Sequence, residues 1–369
     1  MKSLTRIVFK GLLLAGFCFG AGAPGTALAQ SAENLKALSY MGYLSTRIVG
    51  RPLNSSEISA LKSSGSAAFG QIASAWSREP NFAENMQIYV ETLLGTSGVS
   101  GIGDFGLPGY LAKEIAAKGK PYSELLTANY CVNGSGQTIP CDTQAPFNAG
   151  VLTTKAFLST YGGAYNISRA AKMMDRFLCS DYPFSEAEEP RLTEQELIAQ
   201  FSTRNGTITF GNGNDCYTCH SQFGWHSQFF VKFDGNGVYK AAATGLQNPS
   251  TSVTDGFSTD NTYTSHLKDP NRAKSENSRI LGKPAKNLAE AAVILTQSPK
   301  FLSCAAKNMS KHFLRLSGNT LNGIHPALYE QIATQAKALS PEPGFGDLLQ
   351  AIITNPHVFN SFKKSGATP

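Results

Sequence analysis

Five consecutive residues constrain this chain more than any other stretch: Cys216-Tyr217-Thr218-Cys219-His220. Two cysteines three positions apart lie on one turn of a helix, and the histidine that follows lies beside them. This C-x-x-C-H spacing is typical of sites where two thiols bind the vinyl groups of one porphyrin and the imidazole ligates its iron. We therefore expect one covalently attached haem c, with thioethers at Cys216 and Cys219 and with His220 as the proximal iron ligand.

Three other interpretations of this motif stay open from the sequence. It could be a redox-active dithiol, half of a zinc site, or a disulfide that happens to precede a histidine. The chain has 7 cysteines and 6 histidines among 369 residues. A chance match is therefore expected on the order of once in several hundred such chains, which favours haem attachment.

The N-terminal 29 residues have the features of a secretory signal peptide. Three basic residues accompany an apolar run over residues 7–20, and Ala27-Leu28-Ala29 forms an A-x-A cleavage site. We expect the mature chain to start at Gln30. The alternative is a membrane anchor, but the apolar run is shorter than the roughly 20 residues that a spanning helix needs. We expect no transmembrane segment in the mature chain.

The other cysteines fit an exported protein. Haem is attached to C-x-x-C-H outside the cytoplasm, and disulfides persist there. Outside the leader and the motif, four cysteines remain: Cys131, Cys141, Cys179 and Cys304. The simplest pairing is Cys131–Cys141 across a loop and Cys179–Cys304 across the fold, with the two other pairings and free thiols left open. We expect the protein in the periplasm of a Gram-negative-type bacterium, or otherwise exported.

The net charge gives no support for a strongly charged partner. The formal net charge is +6, and it falls to +3 when the three cations of the leader are removed. Such a mild surplus argues neither for nucleic acid nor for a strongly anionic partner, and we expect no nucleic-acid partner. Charged residues make up only 16% of the chain and glycines number 35, which is typical of a compact exported protein with many loops.

Hydrophobic periodicity predicts a mainly α fold. A small β-hairpin is predicted where residues 229–233 and 238–240 flank the turn Asp234-Gly235-Asn236-Gly237. After the signal peptide at 1–29, we expect a helical N-terminal module at 30–95, a second helical module with a disulfide-closed loop at 96–190, a cytochrome-c-like haem domain at 191–316 and a C-terminal helical extension at 317–369.

Short stretches along nearly the whole mature chain follow the order found in one family. They are 47–52 (RIVGRP), 121–130 (PYSELLTANY), 150–153 with 156–158, 176–179 (RFLC), 216–220 followed by Phe233-Asp234 and Gly237, and 298–301 with Cys304. In this order they resemble the planctomycete-type cytochrome c proteins, exported bacterial proteins in which helical domains of unknown function flank one C-x-x-C-H module. The resemblance implies one covalent haem c and this domain order. The chain departs from the family at Phe223-Gly224-Trp225-His226, where an Ile-Asp-Pro-like segment is common.

The sixth iron ligand determines the chemistry of a haem. Methionine gives a higher potential suited to electron transfer, histidine lowers the potential, and an open position admits peroxide. The candidates are Met309, Met173, Met174 and His226, and core packing is the alternative for each methionine. We favour Met309, because its predicted helix follows the motif and could cover the haem. Aromatic residues near the motif are expected to form an apolar haem wall, in particular Phe223 and Trp225.

Three functions remain open. The favoured one is an exported monohaem c-type cytochrome that passes electrons to or from a redox partner protein. It has one C-x-x-C-H, and the sequence contains no H-E-x-x-H, G-x-S-x-G or P-loop pattern. The alternatives are a surface or binding protein in which haem is structural, and a peroxidase-like haem enzyme. The sequence favours electron transfer over catalysis.

Overall fold

The described part of the chain is mainly helical, which confirms the predicted fold class. The structure is a computed structural model that describes residues 24–197, 214–243, 245, 265–315 and 326–362. Within these ranges, no helix is long and apolar enough to cross a membrane.

The predicted N-terminal helices are present. They are α1 (Pro24–Ile48), α2 (Ser55–Ser64), α3 (Phe69–Trp76) and α4 (Pro80–Leu94). Proline opens α4 because its fixed φ suits the first turn, where the missing N–H would have no helical partner. Gly95 ends α4 in a left-handed conformation, with a φ of 63°.

Ser55 or Ser56, with Glu57 nearby, is the N-cap that the sequence pattern predicts for α2, whereas the N-cap in the structure is Asn54. Asn54 Oδ1 accepts a hydrogen bond from the Glu57 amide at 2.9 Å, and Glu57 Oε2 accepts one from the Asn54 amide at 2.8 Å. This reciprocal capping box satisfies two otherwise unpaired donors. Glu57 also accepts from Arg51 and from Trp76 Nε1, so the same carboxylate joins α2 to α3.

Short elements follow in the middle of the chain. In order, they are α5 (Leu107–Ala117), α6 (Glu124–Thr127), β1 (Cys131–Val132), β2 (Thr138–Ile139), α7 (Lys155–Thr160) and α8 (Ile167–Leu178). Strands β1 and β2 pair antiparallel, with Cys131 opposite Ile139.

The motif helix and the C-terminal helices complete the fold. They are α9 (Asn214–Ser227), α10 (Pro270–Ala273), β3 (Ser278–Ile280), β4 (Lys283–Ala285), α11 (Leu288–Gln297), α12 (Pro299–Leu314), α13 (Pro326–Leu339), α14 (Phe345–Thr354) and α15 (Pro356–Ser361). Strands β3 and β4 form a second antiparallel hairpin, with Ser278 opposite Ala285.

The predicted hairpin around Asp234 is reduced to its turn. Residues Gln228–Phe230 form a 3-10 turn, and a single bridge pairs Phe233 with Tyr239. The physical reason is burial: Phe229 and Phe230 are adjacent and both fully buried. A strand would point adjacent side chains to opposite faces, whereas a helical turn allows both to enter the same core.

One large hydrophobic cluster runs through the molecule. It joins buried side chains from Ala37 in α1 to Phe359 in α15. Helix α4 packs along α5, and α12 packs against α8, α13 and α14. Helices from the predicted N-terminal and C-terminal modules therefore share a core, while the module boundaries themselves stay a prediction.

Some predictions fall outside the described residues. The predicted signal peptide is described only from Pro24, where α1 begins and runs through the expected cleavage site. The spacing of Thr193 and Glu196 predicts a capping box and a helix over residues 194–203. The structure has the capping box and a short 3-10 turn, Glu194–Glu196, and residues 198–203 lie outside the described ranges. The polar composition of residues 242–280 predicts an extended surface loop, of which residues 244 and 246–264 also lie outside them.

The two disulfides follow the simplest of the pairings considered from the sequence. Cys131 and Cys141 are joined at an S–S distance of 2.11 Å, and Cys179 and Cys304 at 2.08 Å. The first closes the loop that contains β1 and β2, and the second ties α8 to α12. Such bonds persist in oxidising compartments, which favours an exported protein.

We expect the two disulfides to differ in their contribution to stability. A cross-link restricts the unfolded chain more when it closes a longer loop, and the sequence separations are 10 and 125 residues. Loss of Cys179–Cys304 through a double alanine variant should lower the free energy of unfolding by about 2 kcal/mol more than loss of Cys131–Cys141. Urea unfolding of both variants measures this. A greater loss from the shorter loop would contradict it.

Candidate functional site

Helix α9 displays the motif on one face. At about 100° per residue, Cys216, Cys219, His220 and Phe223 fall within roughly one third of the helix circumference. Trp225 falls on the opposite face, about 140° from His220. The helix therefore presents two thiols, one imidazole and one phenyl ring in the same direction.

The two motif thiols are the free cysteines among the described residues. Cys216 and Cys219 are half-buried and not bonded to each other, whereas the other four described cysteines form the two disulfides. Burial raises the pKa of the Cys219 thiol, and the neighbouring Cys216 raises it further. Neither sulfur is part of a disulfide.

A second histidine lies against His220. Nδ1 of His220 is 3.0 Å from Nε2 of His266, a hydrogen-bond distance between the two rings. His266 is fully buried. Burial lowers the pKa of His220 to about 4, and burial followed by the proximity of His220 lowers the pKa of His266 well below its ordinary value. At a distance of 3.0 Å the two ring nitrogens share one hydrogen bond, in which one ring donates and the other accepts.

The segment that carries His266 is fastened to the end of α9. Ser265 Oγ donates to Gln228 Oε1 at 2.8 Å, and Gln228 Nε2 donates to the Arg272 carbonyl oxygen at 2.7 Å. The ring of Tyr165 packs on His266, with ring centroids 5.1 Å apart. Sequence reasoning missed His266, because a histidine in a polar, non-periodic stretch carries no signal of burial.

The ring of Phe223 lies beside the ring of His220. Its ring centroid is 5.6 Å from that of His220 and 3.9 Å from that of Tyr182, against which it stacks. The rings of Phe223 and Tyr182 therefore lie beside the motif. Their role in a haem wall stays a prediction.

Trp225 fastens the opposite face of α9. Its Nε1 donates to the Pro190 carbonyl oxygen at 2.8 Å, and the guanidinium carbons of Arg272 and Arg279 lie 5.1 and 5.5 Å from its ring. These contacts are cation–π interactions that hold α9 against two neighbouring segments. Trp225 does not lie on the face of α9 that carries His220. The role of Trp225 in a haem wall stays a prediction.

The distal-ligand candidates lie in different places. Met309 is fully buried in α12 within the main cluster, and Met173 and Met174 are buried there too. Cys216 instead packs, with Tyr217 and Trp225, against a separate small cluster of Leu192, Leu197 and Leu267. Met309 as an iron ligand stays a prediction.

His226 belongs to a buried polar network. Its Nε2 is 2.9 Å from Glu189 Oε2, and Nδ1 is hydrogen-bonded to the Tyr182 hydroxyl. Glu189 is fully buried and forms an ion pair with Arg279 at 3.3 Å. Both ring nitrogens of His226 thus have protein partners, which connect α9 to Glu189 and to Tyr182. His226 as an iron ligand stays a prediction.

The donor set fits a covalent haem. Two free thiols and an adjacent imidazole on one helix face are the groups that haem c attachment requires. Among the residues that the structure describes, no group of three or more His, Cys, Asp or Glu side chains is arranged to hold a metal ion. No family model, curated protein or solved structure matches this chain.

We expect Glu189 to be essential for the anchoring of α9. Glu189→Gln removes the charge that pairs with Arg279 and weakens the contact to His226 in a buried site, so the free energy of unfolding should fall by at least about 2 kcal/mol. Glu188→Gln is the matched control, because Glu188 forms a partly exposed ion pair with Lys300. Its effect should stay below about 1 kcal/mol. Equal effects in urea unfolding would refute the assignment.

Proposed function

We propose that this protein is an exported monohaem c-type cytochrome that exchanges electrons with a redox partner protein. The observation that carries the proposal is the face of α9, where Cys216 and Cys219 are free thiols beside His220. The resemblance to the planctomycete-type cytochrome c family supports the same assignment, and membership of that family is part of the proposal.

Each residue of the site has a role in this proposal. Cys216 and Cys219 would hold the haem through thioether bonds, and His220 would ligate the iron. The bound haem would supply a one-electron Fe(III)/Fe(II) couple. Phe223 and Tyr182 would cover part of the apolar porphyrin and keep water from it, which influences the potential. Met309 remains the proposed sixth ligand.

The proposed location is the periplasm or another exported compartment. The predicted signal peptide supports it, and so do the disulfides Cys131–Cys141 and Cys179–Cys304, since disulfides persist in oxidising compartments. The net charge of +3 after leader removal is small. Partner docking should therefore depend weakly on ionic strength, in contrast to proteins with large single-sign surfaces.

A structural haem in a binding protein is the second candidate. It is favoured by the extent of the fold outside the motif, because α1 to α8 and α11 to α15 form the main core without the motif cysteines. In that case, haem loss would destabilise the fold, and electron exchange would be slow.

We expect the protein exported to the periplasm to carry haem that remains bound after denaturation. Its reduced absorption spectrum should show a sharp α-band, and a low-spin spectrum would support electron transfer. The Cys216→Ala/Cys219→Ala variant should lose covalent haem completely, because both thioethers are gone. The matched control, Cys131→Ala/Cys141→Ala, removes a cysteine pair elsewhere and should keep the haem.

Two outcomes would count against the proposal. A wild-type protein without covalent haem would refute haem attachment itself. A high-spin spectrum with rapid peroxide turnover would keep the haem and replace electron transfer by the peroxidase-like alternative.

A further inference from the structure

The contact between His220 and His266 has two possible hydrogen-bond directions. In one, Nδ1–H of His220 donates to Nε2 of His266; in the other, Nε2–H of His266 donates to Nδ1 of His220. A neutral imidazole carries one proton. In the second case, the proton of His220 is on Nε2, which then cannot ligate iron. Haem ligation through Nε2 therefore requires the first direction.

We infer that His266 is a positioning residue of the haem site, whose Nε2 accepts a hydrogen bond from Nδ1–H of His220 and so directs Nε2 of His220 towards the iron. This inference rests on the proposed function. Histidines that ligate metals generally donate their other ring N–H to a second protein group, which fixes the tautomer and the ring orientation. Here that group is a second imidazole.

The surroundings of His266 suit this role. It is fully buried, so its position is set by packing rather than by solvent. Ser265, the preceding residue, is bonded to Gln228, which directly follows α9. The helix that carries His220 therefore also holds the segment that carries His266. The ring of Tyr165 packs against the His266 ring, with 5.1 Å between centroids.

The hydrogen bond should lower the redox midpoint potential of the iron. An acceptor on Nδ1–H increases the basicity of the ligating imidazole, and a more basic ligand stabilises ferric iron over ferrous iron. Loss of the acceptor should therefore raise the midpoint potential. The alternative is that His266 is itself the distal iron ligand. In that case, replacing His266 would change the coordination number of the iron.

The experiment compares the holoprotein with three variants. His266→Phe keeps a ring against Tyr165 but has no acceptor, whereas His266→Gln keeps an acceptor in its amide oxygen. His357→Phe is the control, since His357 is an exposed histidine in α15, a helix that carries none of the proposed haem residues. For each, we measure the haem content, the spin state, the thermal midpoint and the redox midpoint potential.

We expect His266→Phe to keep covalent haem and a low-spin spectrum while its midpoint potential rises by at least about 59 mV, which corresponds to a tenfold change in the equilibrium constant of a one-electron couple. His266→Gln should restore most of the difference, and His357→Phe should leave the potential unchanged. In the reduced wild-type protein, ¹⁵N NMR should place a proton on Nδ1 of His220.

The contrary outcomes are separable. An unchanged potential in His266→Phe would overturn the positioning role, and so would a change to high-spin iron, which would make His266 a ligand. A proton absent from Nδ1 of His220 would also overturn it. Absence of covalent haem from the wild-type protein would instead refute the proposed function, and the inference with it.

Discussion

The site depends on the buried ion pair and hydrogen bonds that hold α9 in one rotational position. Glu189 is fully buried and would be costly without partners, because a carboxylate loses its hydration in the core. His226 and Arg279 supply those partners, and the Tyr182 hydroxyl completes the network at the other ring nitrogen of His226. A helix anchored at His226 cannot rotate freely, so the face with the motif keeps its direction.

Close packing sets the distance of α9 from its neighbours. A Cβ atom at Gly224 would lie 2.4 Å from Leu192 Cδ1 and 3.1 Å from Leu197 Cδ2, so the Leu192 side chain would have to move and the contact with Leu197 would be tight. Glycine at this position lets the small leucine cluster approach the helix backbone. Farther along, the buried guanidinium of Arg169 donates to the carbonyl oxygens of Leu158, Phe233 and Asp234, and it ties α8 to the turn after α9. Burial lowers the pKa of Arg169 to about 9.

The sequence predicted those parts of the fold that depend on patterns of residues close together in the chain. The helices around Met86 and Met173 follow from apolar residues at helical spacing, and the disulfides follow from an even number of cysteines in an exported chain. The prediction of a strand over residues 229–233 was wrong, because a run of aromatic residues does not distinguish a strand from a buried helical turn.

The site was predicted only where chemistry fixes the spacing along the chain. Cys216, Cys219 and His220 are adjacent in sequence, so their common face follows from helix geometry alone. His266 is 46 residues from His220 in sequence and touches it only after the chain has folded. No local pattern specifies such a contact, because it results from packing between distant segments.

The most direct test of the account is the mass of the tryptic peptide that contains the motif. In the sequence, no lysine or arginine lies between Arg204 and Lys232, so residues 205–232 form one peptide. From the exported protein, this peptide should carry the added mass of one haem, and Cys216 and Cys219 should resist alkylation. A peptide of unmodified mass, with both cysteines open to alkylation, would contradict the central claim.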